Sequence, residues 1–202
     1  MMKLYSCSLV LALTVALWSC GDEDGDGPKI LGPDVPQAAL GEEEIFTVKQ
    51  VSFTSVDSVE VSALFGVVDG DEARPAVILV HEVQGSKEEW LRATPLFSDL
   101  LKRGYNVLAI DLRGHGATLL PEDSQPLSWD DVEESFLDVG AALTWLRSQV
   151  ATVDATRIAV VGTGVGGNVA YVSMGAFPLQ IKAAVCLSPG AWAGSDLSLI
   201  HI

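Results

Sequence analysis

The residues best suited to chemistry lie around one glycine-rich turn and two histidine-containing segments. Residues 162–167 read Gly-Thr-Gly-Val-Gly-Gly and follow an apolar run at Arg157–Val161. A sharp turn from a strand into a helix exposes its tip beside the first backbone N–H groups of the helix, which can stabilise a developing oxyanion. His81 ends another apolar run, and Asp111 and His115 follow a third. A nucleophile and its base must lie within about 3 Å of each other, so the elements that carry these residues decide whether they can react together.

Strands can be assigned from two kinds of hydrophobic pattern. Alternating segments rich in Val, Phe and Thr are typical of an antiparallel pair at the edge of a sheet, and they occur at Ile45–Ser55 and Val59–Val68. Continuous apolar runs indicate strands that are covered on both faces. These runs are Ala76–Val80, Asn106–Ile110, Arg157–Val161 and Lys182–Leu187.

Helices are predicted between the buried strands. The helical spacing of apolar residues covers Trp90–Arg103, with Gly104 as its C-cap, and Ser128–Gln149, with Ser128 as its N-cap; a third helix is expected at Gly164–Gly175. Alternating strands and helices imply a doubly wound, mostly parallel sheet, which is an α/β fold.

Three segments carry a family resemblance, and they occur in the family's order. They are Val77–His81 with Gly85–Trp90, then Gly104–Gly116, then Arg157–Asn168. Together they resemble α/β hydrolases, most closely small esterases, dienelactone-hydrolase-like proteins and serine-peptidase-like members. The resemblance covers roughly residues 45–190 and implies an α/β-hydrolase fold whose last two strands and their helices are missing.

The resemblance identifies residues 162–166 as a nucleophile elbow. The family has a serine at the tip, where this chain has Gly164, and the flanking glycines are present as Gly162 and Gly166. The resemblance also implies an oxyanion hole made by the backbone N–H groups of Val83 and Val165. Because glycine has no nucleophilic side chain, we expect an elbow that keeps the family's backbone shape and has no nucleophile.

Substitute catalytic residues are weak candidates. Thr163 lies one residue before the position of the family's serine. Ser173 and Ser188 are better explained as structural residues of a helix and of a turn, respectively. In the family the acid and the histidine follow the nucleophile on later loops. Beyond the last predicted strand only Asp196 and His201 are available, in a short tail, so both triad partners are expected to be absent.

His81, Asp111 and His115 have a simpler explanation than catalysis. Each follows an apolar run that is predicted to be a strand. Polar side chains in such positions commonly fix loops by hydrogen bonding to the backbone. We therefore expect these three residues to brace loops.

The N-terminus has the pattern of a bacterial lipoprotein signal. Lys3 precedes an apolar run at Leu9–Trp18, which is too short to span a bilayer, and residues 17–20 read Leu-Trp-Ser-Cys. This resembles a lipobox and implies cleavage before Cys20, a diacylglycerol thioether on its sulfur and an additional acyl chain such as palmitate. An ordinary secretory signal and an uncleaved apolar start are the alternatives. The predicted organisation is a signal peptide over 1–19, a disordered acidic tether over 20–43 and a partial hydrolase domain over 44–202, in the bacterial cell envelope.

Cysteine usage agrees with this interpretation. Cys7 lies in the signal and Cys20 would carry the lipid, which leaves Cys186 without a partner for a disulfide. Cys186 stands in an apolar run, where a lone cysteine is expected to be a small buried hydrophobic residue.

Charge and motif content exclude several classes of function. The formal net charge is −15, with 12 basic against 27 acidic residues, which argues against nucleic-acid binding. We predict neither a metal site nor a cofactor. The glycines of residues 162–167 also fit a dinucleotide-binding fingerprint, but no acidic residue follows about 20 positions later at a strand end.

The sequence therefore predicts a hydrolase by descent, of the kind that acts on carboxylic esters or amides, which is inactive as written. The expected partners are the membrane, through the lipid on Cys20, and a small ester-like ligand. A non-catalytic ligand-binding lipoprotein is an alternative, as is a protein whose open sheet edge pairs with a strand of another chain.

Overall fold

Strands and helices alternate along the chain in the predicted order. The computed structural model describes residues 46–120 and 129–189. In chain order the elements are β1 (Phe46–Thr54), β2 (Glu60–Val68), β3 (Arg74–Val80), α1 (Glu89–Arg92), α2 (Leu96–Lys102), β4 (Asn106–Ile110), α3 (Trp129–Glu133), α4 (Phe136–Ser148), β5 (Val153–Thr163), α5 (Val165–Ala176) and β6 (Ile181–Leu187).

The strands form one six-stranded sheet in the order β1-β2-β4-β3-β5-β6. β1 and β2 are antiparallel, and β2 is antiparallel to β4. The strands β4, β3, β5 and β6 are parallel to one another. The predicted mostly parallel sheet, with an antiparallel pair at one edge, is confirmed.

The central strands are buried on both faces because helices pack on each side of the sheet. In β3, Ile78 and Val80 belong to a cluster that contains Val139 of α4 and Val169 of α5. Side chains that alternate with them, such as Leu79, belong to a second cluster, with residues of α1 and α2. Since successive side chains of a strand point to opposite faces, both faces of β3 must be apolar, which explains its continuous apolar run.

The helix predicted over Trp90–Arg103 is wrong as a single element. It is divided into α1 and α2, with Pro95 immediately before α2. Proline lacks a backbone N–H and its ring clashes with the carbonyl four residues earlier, so it begins α2 and cannot continue α1. Gly104 ends α2 as expected: it has a φ of 81°, and the N–H of Tyr105 reaches back to the carbonyl of Leu100 at 3.0 Å.

The helix predicted over Ser128–Gln149 is also divided, into α3 and α4. At the break, the N–H of Asp138 bonds to the carbonyl of Ser135 at 3.1 Å, only three residues back. The buried guanidinium of Arg113 bonds to both Glu134 and Asp138, on either side of this tight turn. The N-cap predicted at Ser128 lies outside the described residues.

β6 is less buried than its apolar sequence predicts. Val185 and Leu187 are exposed, and Cys186 is only half-buried, so the expectation of a buried cysteine is wrong. α5 packs against β6, whereas in the described part of the chain no strand pairs with its outer edge. Partial burial still raises the pKa of the Cys186 thiol above its ordinary value.

The signal peptide, the tether, Cys20 and the tail residues Asp196 and His201 all lie outside the described residues. Within the described ranges, none of the helices is both long enough and apolar enough to cross a membrane.

Candidate active site

The residues singled out from the sequence lie at one edge of the sheet. His81 directly follows β3, Asp111 follows β4, Gly164 follows β5 and Ser188 follows β6. These four strands are parallel, so their carboxyl ends meet at the same edge. In open α/β sheets this is the edge where ligands bind.

The turn between β5 and α5 has the geometry of an elbow. Gly164 has φ 53° and ψ −121°, in the region of backbone space that favours glycine, and its N–H bonds to the carbonyl of Leu187 at 2.9 Å. A side chain at Gly162 would overlap the backbone of Gly166. A side chain at Gly166 would overlap the carbonyl oxygens of Val80 and His81. The two flanking glycines are therefore required by close backbone contact, whereas the tip faces a side chain, that of Glu82.

The two backbone positions predicted to form an oxyanion hole lie on adjacent segments. Val165 is the first residue of α5, where backbone N–H groups have no intrahelical acceptor. Val83 lies in a turn closed by the N–H of Gly85, which donates to the carbonyl of Glu82 at 3.0 Å. The half-buried side chain of Val83 packs against the same hydrophobic cluster that contains Val165. The packing holds both segments against one core.

His81 is buried in a fixed, neutral state. Its Nδ1 lies 2.6 Å from the carbonyl oxygen of Glu82, and its Nε2 lies 3.0 Å from the backbone N–H of Leu112. The carbonyl can only accept and the N–H can only donate, so the proton is on Nδ1. Burial lowers the pKa of His81 to about 4. A side chain that uses both ring nitrogens in this way joins the ends of β3 and β4 and is not placed to serve as a base.

Asp111 joins the loop after β3 to the loop after β4. Its carboxylate accepts the backbone N–H of Lys87 at 2.7 Å and the Nζ of Lys87 at 2.6 Å. It also accepts the N–H of Ala117 at 2.8 Å, and a side chain at Gly116 would overlap this carboxylate. Burial by itself lowers the pKa of Lys87, but the hydrogen bonds to Asp111 and Glu88 outweigh it and leave the pKa raised. The ammonium group of Lys87 thus remains charged.

His115 and Arg113 complete the loop after β4. His115 Nδ1 lies 2.9 Å from the carbonyl oxygen of Arg113, and the ring lies 5.1 Å from that of His81. The buried guanidinium of Arg113 bonds to Asp138 at 2.9 Å and to Asp57 at 2.7 Å. These contacts tie the loop to α4 and to the turn between β1 and β2.

The candidate substitutes for serine occupy positions that structural roles explain. Thr163 is the last residue of β5, where it pairs in register with Leu187. Ser173 is buried in α5, two turns beyond the elbow. Ser188 follows β6 with a φ of 50°, as in a turn. Within the described ranges no group of three or more His, Cys, Asp or Glu side chains could hold a metal ion.

Three residues at this edge were not predicted from the sequence. Lys87 and Arg113 lie inside the motif segments but were assigned no role, and basic side chains are rarely buried unless they are paired. Glu82 contacts the elbow tip: a Cβ at Gly164 would lie 2.9 Å from its Oε2 and 3.0 Å from its Cβ. One signal was available, because Glu82 stands between His81 and Val83, in the loop already assigned to the oxyanion hole.

The sheet order, the glycine-flanked elbow and the adjoining loop define the α/β-hydrolase fold. The chain belongs to the family described as serine aminopeptidase, S33, whose model matches residues 71–201.

Among solved structures, the chain is similar to an esterase from Pyrococcus furiosus, at 28% identity and a TM-score of 0.58, over 73% of this chain and 54% of the other. It is also similar to an acetyl xylan esterase from Paenibacillus sp. R4, at 25% identity and a TM-score of 0.57, over 71% and 49%. An uncharacterized protein of Mycobacterium tuberculosis is 26% identical over 116 residues, which are 57% of this chain and 29% of that protein. The chain thus matches about half the length of the solved relatives and under a third of the curated one.

Proposed function

We propose that this protein is a hydrolase by descent whose elbow no longer carries out serine chemistry. The single observation behind the proposal is Gly164, which stands at the tip of a well-formed elbow. The solved relatives named as esterases favour a lineage that acted on carboxylic esters. Without an Oγ at the tip, no acyl intermediate can form there, and this loss alone is sufficient to abolish the usual reaction.

The remaining parts of the site can give only weak catalysis. Backbone N–H groups such as those of Val83 and Val165 polarise a carbonyl whatever their side chains are. Enzymes that retain this feature and lose the triad keep only about 10³ to 10⁴ over the uncatalysed rate. The proposed site therefore has backbone hydrogen-bond donors and no nucleophile.

A non-catalytic binding role is the second candidate. It is favoured by the intact bracing of the cleft: His81, Asp111 and His115 all make the hydrogen bonds that hold its loops. Thermal melting with a panel of small esters and amides tests this role, and a melting temperature that rises with one ligand supports it.

We also propose that the domain is anchored in the bacterial cell envelope through lipid on Cys20. The support is the Leu-Trp-Ser-Cys segment at residues 17–20, which follows an apolar run. A diacylglycerol thioether together with an N-terminal acyl chain is sufficient for stable anchoring.

The proposed loss of catalysis is tested by ester turnover. The full chain is assayed with p-nitrophenyl acetate and p-nitrophenyl butyrate at pH 7, beside buffer and a heat-denatured sample. We expect no burst of p-nitrophenol, and any steady release should stay within the residual rate that backbone donors alone can supply. A burst of p-nitrophenol equal to the protein concentration, followed by steady turnover, would contradict the proposal.

A further inference from the structure

The side chain of Glu82 takes up the space at the elbow tip that a nucleophile's side chain would need. A Cβ on Gly164 would lie 2.9 Å from Oε2 and 3.0 Å from Cβ of Glu82. Ordinary contacts between such atoms are about 3.5–4.0 Å. The carboxylate could swing away, but the Cβ of Glu82 moves only with its backbone.

That backbone is held in place. The carbonyl oxygen of Glu82 accepts two hydrogen bonds, from the N–H of Gly85 at 3.0 Å and from Nδ1 of His81 at 2.6 Å. His81 is in turn fixed by the N–H of Leu112. Glu82 and Gly164 are therefore closely matched, since a side chain at Gly164 would have to displace Glu82 by a few tenths of an ångström.

The carboxylate of Glu82 also places a negative charge at the elbow tip. In the described part of the chain, no basic side chain lies within 4 Å of it, because Lys87 of the same loop is paired with Asp111 and Glu88. Glu82 is exposed to solvent beside the first turn of α5. The positive end of a helix favours an anion, and here the protein supplies its own.

On the basis of the proposed function, we propose that Glu82 is the specificity-determining residue of this cleft: it excludes acyl carboxylates and oxyanions from the elbow, and it admits ligands that present a hydrogen-bond donor or a positive charge. An incoming anion would meet a like charge at the place where the family binds its oxyanion. A ligand with an ammonium or N–H group would instead meet an acceptor.

The test compares two ligands of equal chain length and opposite charge. The ¹⁵N-labelled full chain is titrated at pH 7 with butyrate or n-butylammonium, and the amide shifts of Val83 and Val165 are followed. Glu82→Gln removes the charge and keeps the shape. Glu89→Gln is the matched control, because it removes one charge at the first residue of α1, from a side chain that lies near Gly85 and not near the elbow tip.

We expect Glu82→Gln to bind butyrate about two- to fivefold more tightly than the unmodified protein does and to lose affinity for n-butylammonium, because solvent screens the exposed Glu82 carboxylate and limits its effect. Glu89→Gln should leave both affinities unchanged. Equal butyrate affinity with and without the Glu82 charge would overturn the inference. An equal gain in Glu89→Gln would also overturn it, because the effect would then be one of net charge. Ester turnover by the unmodified chain would refute the proposed function without changing this comparison.

Discussion

At the scale of single residues, the glycines around the elbow differ in what a side chain at each position would contact. Gly162 and Gly166 are in backbone contact with neighbouring segments, while Gly164 combines a positive φ with the close approach of Glu82. Gly175, near the end of α5, is exposed and has open space where its side chain would be. The same substitution should therefore have opposite effects at Gly162, near the end of β5, and at Gly175, near the end of α5.

We predict that Gly162→Ala destabilises the protein by at least about 3 kcal/mol, because the new methyl group can be accommodated only if α5 shifts. Gly175→Ala, by contrast, should stabilise it by up to about 1 kcal/mol through helix propensity. Urea unfolding followed by circular dichroism measures both. Similar midpoints for the two variants would show that the elbow is not packed as described.

His81 should make stability depend on pH between about 6.5 and 4. Its pKa is lowered by burial from 6.5 to about 4, so in this window the unfolded chain binds more protons than the folded chain. Stability should therefore be fully present above pH 6.5 and decrease by up to about 3 kcal/mol as the pH falls to 4.

The measurement is urea unfolding of the unmodified protein and of His81→Gln at several pH values. Protonation of carboxylates with lowered pKa values, such as those of Asp57 and Glu88, also destabilises the protein in acid, but it does so in both proteins. Only the difference between the two slopes reports on His81. Parallel slopes between pH 6.5 and 4 would contradict the burial of a neutral imidazole.

At the scale of elements, the loops at the site are held by one buried ion pair. Lys87 and Asp111 are almost fully buried, and they join the loop after β3 to the loop after β4. Removing one partner leaves an uncompensated buried charge, which costs more than the pair contributes. Exposed pairs contribute little, because solvent screens them.

We predict that Lys87→Met destabilises the protein by about 3 kcal/mol or more. Lys102→Met is the control, since Lys102 forms an exposed pair with Asp99 at 3.8 Å, and it should cost less than about 0.5 kcal/mol. The double variant Lys87→Met with Asp111→Asn should recover part of the loss. If Lys87→Met and Lys102→Met unfold at the same urea concentration, the ion pair does not brace the loops.

The elements were predictable to the extent that their determinants are local. Most strand bounds followed from hydrophobic runs, and Gly104 was recognised as a helix end, but β5 begins at Val153, four residues before the predicted strand at Arg157–Val161. Pro95 was also a local signal that should have divided the first helix. The break near Glu134 was not predicted, and Arg113, the residue that bonds to both sides of it, is distant in the chain.

The same distinction applies to the site. The elbow glycines, His81 and Asp111 were found because they lie in short motifs. The contact between Glu82 and the elbow tip joins residues far apart in the chain, and no short motif encodes it. The burial of Lys87 was missed for a similar reason, since its partner Asp111 lies on another loop.

At the scale of the whole molecule, we predict that the chain is lipidated at Cys20. In a bacterial host grown with labelled palmitate, the full chain should carry label, because a lipobox cysteine receives fatty acyl chains. Cys20→Ser should lose the label, and Cys186→Ser should keep it. Label that persists in Cys20→Ser would show that the segment is an ordinary signal or that acylation occurs elsewhere.

The most direct test of the central claim, that the elbow has no nucleophile, is covalent labelling. The full chain is treated with an excess of a fluorophosphonate, which reacts with activated serines, beside an active serine hydrolase as the positive control. The intact mass of the chain should be unchanged under conditions that label the control completely. A stoichiometric adduct on any residue of this chain would contradict the claim.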